Sequence, residues 1–233
     1  KVGDQLIDRN GLPCLVSGKS AVKSLLCYRI VFDDTSEAIC DKEHRWTTVD
    51  GEVRAVTDLC VGDLIPIAEP LQLPERQLAL DPYVLGVWLA DGKHTSVNHK
   101  RKQAVMNTTR LDFAEQVKEL LLSLGQRPLL SPYIAHGFGK SVQAYCVSFR
   151  PRGINPFSLP RKANKVLATW GVGESWRRRI QKIELLPARQ TQCVMVDSPD
   201  HTFLCTLNFV PTHNTGKKWG NEIKHAEQTQ LYQ

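Results

Sequence analysis

The chain has 233 residues, 42% of them hydrophobic and 23% charged, with 30 Lys and Arg against 24 Asp and Glu and a formal net charge of +6. That composition supports one or two buried cores, and no apolar run approaches the length of a membrane-spanning helix, which excludes a helical membrane protein and a membrane partner. The opening Lys1-Val2-Gly3-Asp4 is not a basic stretch leading into an apolar one, so the expected setting is soluble protein in a reducing cytoplasm.

From the N-terminus the chain reads as short alternating runs broken by turn signals. These are Gln5-Leu6-Ile7-Asp8, the turn Arg9-Asn10-Gly11, Cys14-Leu15-Val16, and Leu25 to Phe32 ahead of Asp33-Asp34, a pattern that predicts β structure over the first seventy or so residues. A different texture follows. Leu111 to Leu124 carries apolar residues at helical spacing and stops at Gly125, which predicts one amphipathic helix. Alternation resumes in Gln192–Val196 and Thr202–Cys205, and Asn208-Phe209-Val210 closes the pattern. The expected fold class is mainly β, interrupted by a smaller α/β insert.

Charge follows the same division. Residues 76–182 hold eighteen Lys and Arg against six acids, a net of +12, while the remainder carries −6. A contrast that large, masked in a total of +6, points to a polyanion that the insert meets or once met, duplex DNA being the candidate, since each phosphate contact gains from counterion release; a solvated basic face is the alternative. The seven cysteines, Cys14, Cys27, Cys40, Cys60, Cys146, Cys193 and Cys205, are odd in number and show no metal-ligand spacing, so most are expected to be small buried hydrophobes.

The densest chemistry lies at His213-Asn214-Thr215. An Asn side chain can attack its own backbone carbonyl, close a succinimide and cleave the bond after itself if a neighbour protonates the departing amine. His213 is placed to do so. Thr215 offers a hydroxyl that accepts an acyl group and then an amine that takes it over.

Such a tripeptide is common, but its surroundings are not. Val194 to Leu204, followed by Asn208-Phe209-Val210-Pro211-Thr212-His213-Asn214, resembles the last two characteristic blocks of inteins, particularly those in phage genes. Lys1 to Asp8 with Gly11 looks like the first block, and Ile39-Cys40-Asp41-Lys42-Glu43-His44-Arg45-Trp46-Thr47-Thr48 like the second. The resemblance implies the horseshoe-shaped Hint β fold, with 1–75 and 183–214 as its two parts, 76–182 as an insert, and 215–233 as host sequence, the C-extein. It also implies autocatalytic protein splicing by a monomer, with the chain's own flanking exteins as partners and no cofactor.

Within the insert, Asp81-Pro82-Tyr83-Val84-Leu85-Gly86-Val87-Trp88-Leu89-Ala90-Asp91-Gly92 resembles the LAGLIDADG helix of homing endonucleases. Gly86 and Ala90 are spaced for close packing of two such helices, and Asp91 is the candidate Mg²⁺ ligand of an active nuclease. A single motif gives half a site. The insert is therefore read as degenerate, with a DNA-cutting homodimer as the alternative.

Lys1 cannot serve as the terminal Cys or Ser with which most inteins begin. Either the first reacting residue lies at or just before Lys1, or the chain resembles the class 3 inteins, which use an internal Cys together with a Trp and a Thr. Cys193, Trp46 and Thr212 occupy those three positions. That resemblance implies attack by Cys193 on the upstream junction. His44 protonates the leaving nitrogen from a near-neutral pKa, Trp46 walls the site, and Thr212 neighbours Cys193. The acyl group then passes to Thr215, and Asn214 cyclises with His213 and His201 moving protons. A cleavage-only Hint domain is the third reading, disfavoured by the Asn214-Thr215 junction.

Overall fold

The alternating runs near the N-terminus form strands, and several of their partners lie more than a hundred residues away. A computed structural model describes residues 1–74, 95–98, 100–137, 139–157, 159–166 and 176–213. Two units emerge: residues 1–72 with 176–233, and residues 73–175. In chain order the strands are β1 (Gln5–Ile7), β2 (Pro13–Lys19), β3 (Lys23–Phe32), β4 (Glu37–Asp41), β5 (Arg45–Thr47), β6 (Val53–Ala55), β7 (Leu64–Pro66), β8 (Thr95–Asn98) and β9 (Gln103–Thr108). After helix α1 (Leu111–Ser123) come β10 (Leu129–Gly137), β11 (Lys140–Phe149) and the short helix α2 (Pro160–Ala163). The chain ends in β12 (Arg177–Thr191), β13 (Val194–Val196), β14 (Thr202–Cys205) and β15 (Val210–His213). The mainly β class expected from the pattern is what the structure has.

The first unit contains three sheets, ordered β1-β2-β13, β4-β3-β12-β7 and β14-β15-β5-β6. Each joins strands from both ends of the chain. Their inner faces meet in one core that includes Ile30, Phe32, Trp46, Ile65, Ile180, Phe203 and Val210, none more than 1% exposed. Each large apolar side chain removed from water contributes about 1.5–3 kcal/mol before entropy is counted. The predicted Arg9-Asn10-Gly11 turn is fixed by Asp8, whose Oδ1 accepts the amides of Asn10 and Leu12 at 2.8 and 2.9 Å. Gly11 has φ +80°, and a Cβ there would lie 2.0 Å from the Pro70 carbonyl oxygen, so only glycine fits.

The second unit is a sheet ordered β10-β11-β9-β8 with α1 against it, its core made of Ala104, Ala114, Leu121, Val147 and Phe149. The predicted helix ends as its sequence requires. Gly125 takes φ +65°, its amide donates to Leu122 O at 3.0 Å, and the Gln126 amide donates to Leu121 O at 2.9 Å. This is a Schellman cap built on the one residue type that adopts that φ without strain.

Two expectations need correction. The insert boundary drawn at 182 lies inside β12, where Arg177, Arg178 and Arg179 pair with Pro66, Ile65 and Leu64 of β7 and Ile180 pairs with Phe32 of β3. Those residues belong to the first unit. Recounted over 73–175, the second unit carries fourteen Lys and Arg against seven acids, a net of +7, and the rest of the chain −1. The contrast is about half that expected. Asn208 and Phe209, read as strand, form the turn between β14 and β15, with Phe209 at φ +51° and Thr206 at φ +60°. The LAGLIDADG-like segment at 81–92, including Asp91, lies outside the described residues.

Candidate functional site

β5 and β15 are short neighbouring strands, joined where Arg45 pairs with His213, and β15 pairs in turn with β14 through Thr202↔His213 and Phe203↔Thr212. This sheet gathers residues from the second, penultimate and last sequence blocks. His44 enters it one residue before β5, held by its amide to Asp41 O at 3.2 Å and by its carbonyl to the Val56 amide at 2.8 Å. Its ring is 2% exposed. Trp46, 1% exposed, meets that ring edge-on with centroids 5.3 Å apart.

The His44 Nε2 shares a hydrogen bond with the Thr212 hydroxyl. Thr212, 1% exposed, was expected beside Cys193; its hydroxyl lies on His44. The other ring nitrogen, Nδ1, is buried with no hydrogen-bond partner among the described residues. A buried polar atom left so costs about 1–3 kcal/mol, and such atoms occur where a ligand or substrate group completes the bond. Burial pushes the His44 pKa down to about 3, with the nearby His213 adding to the effect. The near-neutral acid expected from sequence is therefore a neutral imidazole at pH 7. It still carries one N–H donor and one acceptor.

His213 ends β15, and its ring faces that of His201 edge-on at 6.2 Å. His201 sits at φ +55° in a turn closed by its own amide donating to Ser198 O at 3.0 Å. Asp200 braces that turn. It pairs with Arg9 Nε at 2.5 Å and accepts the Thr202 hydroxyl at 2.7 Å and the Thr202 amide at 3.1 Å. Asn214 and Thr215, next in the chain after His213, lie outside the described residues.

Cys193, 4% exposed, is fixed from the β2 side of its sheet. Its amide donates to Ser20 Oγ at 2.9 Å, and its carbonyl accepts the Ser20 amide at 3.0 Å. None of the seven cysteines forms a disulfide, and burial raises the thiols of Cys14, Cys27 and Cys40 above their ordinary range. They stay protonated and act as small apolar groups, as expected.

No family model matches the chain. Among curated proteins it is similar to the replicative DNA helicase DnaB of Mycobacterium intracellulare, 22% identical over 316 residues. The match covers 92% of this chain, which spans 55%, about half, of that protein's length. Among solved structures it is similar to the Msm DnaB1 intein splicing domain bound with zinc, at 17% identity over 92% of this chain and 84% of that one, with a TM-score of 0.43. The MchDnaB-1 intein, at 17% identity over 92% and 85%, also has a TM-score of 0.43. The gp41-1 intein, at 15% identity over 92% and 82%, has 0.41.

Two functional-site features were not read from the sequence. Asp41, 1% exposed, lies at the end of β4 and accepts the Glu43 amide at 2.8 Å; burial raises its pKa to about 6. Arg178, counted by sequence among the basic residues of the insert, is 1% exposed and pairs through Nε with Asp34 Oδ2 at 2.7 Å. Burial alone would raise Asp34; Arg178 and Ser36 outweigh it and hold the carboxyl below its ordinary value. Nothing in the local sequence distinguishes Arg178 from its exposed neighbour Arg179. Among the described residues, no group of three or more His, Cys, Asp or Glu could hold a metal ion, and no helix is long and apolar enough to cross a membrane.

Proposed function

We propose that the chain is a protein-splicing element with a Hint-type β frame formed by its first unit, acting on its own flanking segments as a monomer in the cytoplasm. The observation that carries this is His44: a neutral, buried imidazole with one nitrogen on Thr212, the other without a hydrogen-bond partner among the described residues, and Trp46 at its edge, one strand from the His213 that precedes Asn214-Thr215. The unpartnered Nδ1 offers a hydrogen bond to the peptide unit of the upstream junction. Its neutral state suits a group that must donate and accept by turns without storing charge in an apolar core.

The chemistry follows the class 3 order. The Cys193 thiolate adds to the upstream carbonyl, the amide C–N bond breaks, the amine leaves with a proton relayed through His44, and a thioester forms. The Thr215 hydroxyl attacks that thioester and returns the thiol, producing an oxygen ester. Asn214 then attacks its own backbone carbonyl, closing a succinimide and breaking the Asn214–Thr215 bond while His213 and His201 move the protons. The freed Thr215 amine takes the acyl group from its own oxygen, and an amide joins the two flanks. Each step is intramolecular, so preorganisation in the β frame replaces substrate binding.

The second unit is proposed to be a degenerate LAGLIDADG-like insert that is dispensable for splicing, its net +7 suiting contact with duplex DNA. A plasmid cleavage assay with Mg²⁺ tests the alternative of an active nuclease. The test of splicing itself is intact-mass analysis of the chain expressed between two foreign flanks. Ligated flanks plus an excised chain ending in succinimide are expected; separated flanks without ligation would instead support a cleavage-only domain.

A further inference from the structure

The last strand of the first unit must present His213, and hence Asn214, in one register. Because side chains alternate along a strand, a slip of a single residue between β14 and β15 would carry Thr212 off His44 and His213 away from His201. The turn that sets this register is strained, although the Thr206 hydroxyl accepts the Asn208 amide within it at 3.2 Å. It is Thr206-Leu207-Asn208-Phe209, without glycine, holding two residues at positive φ, Thr206 at +60° and Phe209 at +51°, and closed by the Phe209 amide to Thr206 O at 3.2 Å. Non-glycine residues in that region are strained by about 1 kcal/mol or more each and persist only where their surroundings enforce them.

What surrounds the turn is a buried guanidinium. Arg178 Nη2 donates to Asn208 O at 2.6 Å and Nη1 to Phe209 O at 3.4 Å, while Nε is held by Asp34 Oδ2 at 2.7 Å. Asp34 is itself tied to the β3–β4 turn, its Oδ1 accepting the Ser36 amide at 3.1 Å and the Ser36 hydroxyl. The two carbonyls gripped by Arg178 are the last before β15 begins. A fork of this geometry fixes direction as well as distance, which a lysine ammonium cannot reproduce.

We infer that Arg178, oriented by Asp34, is a positioning residue for the downstream junction: it clamps the β14–β15 turn and so sets the register that brings His213 against His201 and Thr212 against His44. This rests on the splicing reading. It weighs unequally on the two ends of the reaction, because Cys193 is held by Ser20, just after β2, while the upstream step meets the clamped strand, in the described contacts, only through the Thr212–His44 bond.

The test compares Arg178→Lys, Asp34→Asn and the exposed neighbour Arg179→Ala with the parent chain between foreign flanks, following thioester formation and Asn214 cyclisation separately by intact mass. Misplacement of reacting groups by about 1 Å costs on the order of 100-fold, so Arg178→Lys and Asp34→Asn are expected to slow cyclisation by about that factor. Thioester formation, which meets this strand only through the Thr212–His44 bond, should slow less than cyclisation, the folded circular-dichroism spectrum should stay near the parent's, and Arg179→Ala should behave as the parent. In the same variants, nuclear Overhauser contacts between Thr202 and His213, and between His44 and Thr212, should weaken. Cyclisation at the parental rate in both clamp variants overturns the inference and leaves the splicing reading intact; so does equal slowing of both steps, which marks the pair as general fold support. A parent chain that forms neither thioester nor succinimide removes the splicing reading and this inference with it.

Discussion

The two units bury different kinds of side chain. The first encloses His44, Thr212, Thr202, Asp41, Asp34 and Arg178, all at 7% exposure or less, among its apolar core. The second, in its described residues, buries Gln126 and Ser148 as its polar groups, and Gln126 is spent locally, accepting the Arg152 amide at 2.8 Å and donating to Arg152 O at 3.0 Å. Buried polar groups cost free energy unless they are hydrogen-bonded, so a fold that concentrates them across several strands has a use for them. The contrast agrees with placing the proposed chemistry in the first unit. It gives the second the character of a separate hydrophobic fold, whose removal should leave the chemistry behind.

The sharpest break comes from the reacting groups. Cys193→Ala should abolish both upstream cleavage and splicing, a loss of about 10³-fold or more, while Asn214 cyclises slowly on its own. Asn214→Ala should stop downstream cleavage and ligation while the thioester still forms. Hydroxylamine applied to an Asn214→Ala, Thr215→Ala double variant should release the upstream flank, and adding Cys193→Ala should prevent that release. If release continues undiminished without Cys193, the first acceptor is a residue at or before Lys1 and the class 3 assignment fails.

Next in size is a stability effect confined to the second unit. Leu121→Ala empties a site 8% exposed beneath α1 and should destabilise that unit by about 2–5 kcal/mol, seen as early exchange of amides in 103–149 by mass spectrometry. Splicing should be unchanged. Loss of splicing in step with that local unfolding would show that the two units support one another.

A smaller effect separates the buried acid from the buried imidazole. Asp41 has a folded pKa of about 6 against an ordinary 3.8, so its contribution to stability is full below about pH 4 and is lost as pH rises through 6. His44 runs the other way. With about 3 in the fold against 6.5, its contribution is full above pH 6.5 and is lost as pH falls toward 3. The two oppose each other between pH 4 and 6. Asp41→Asn removes one of them, so the variant should gain stability relative to the parent by roughly 1–3 kcal/mol between pH 4 and 7, measured by urea titration. A constant difference across that range would mean Asp41 is not held protonated by burial.

Some of this was open to reading from the chain and some was not, for physical reasons. Local signals transferred well: the Gly125 stop, the Arg9-Asn10-Gly11 turn and the alternating strands depend on near neighbours. The Asn208-Phe209 turn is not legible locally because neither residue is a glycine and its carbonyls are bonded by Arg178, about thirty residues earlier. The same arginine was misread as surface charge, since its burial depends on Asp34, 144 residues earlier. Boundary 182 failed likewise. Arg177 to Lys182 read as basic insert until pairing with β7 and β3 claimed them for the first unit. For the site, the residue identities came from motif resemblance, whereas the neutral state of His44 and its bond to Thr212 required the fold.

That corrected boundary supplies the most direct test of the claim that the β frame alone carries the reaction. Residues 76–175 are replaced by a short flexible linker in one chain and residues 76–182 in another, each is expressed between foreign flanks, and the products are weighed intact. Loop closure costs grow slowly with length, so the first chain should still give ligated flanks and an excised frame. The second, having lost Arg178 and the fully buried Ile180, should not. A folded 76–175 replacement that leaves only unspliced precursor, where the full chain splices, would contradict the account.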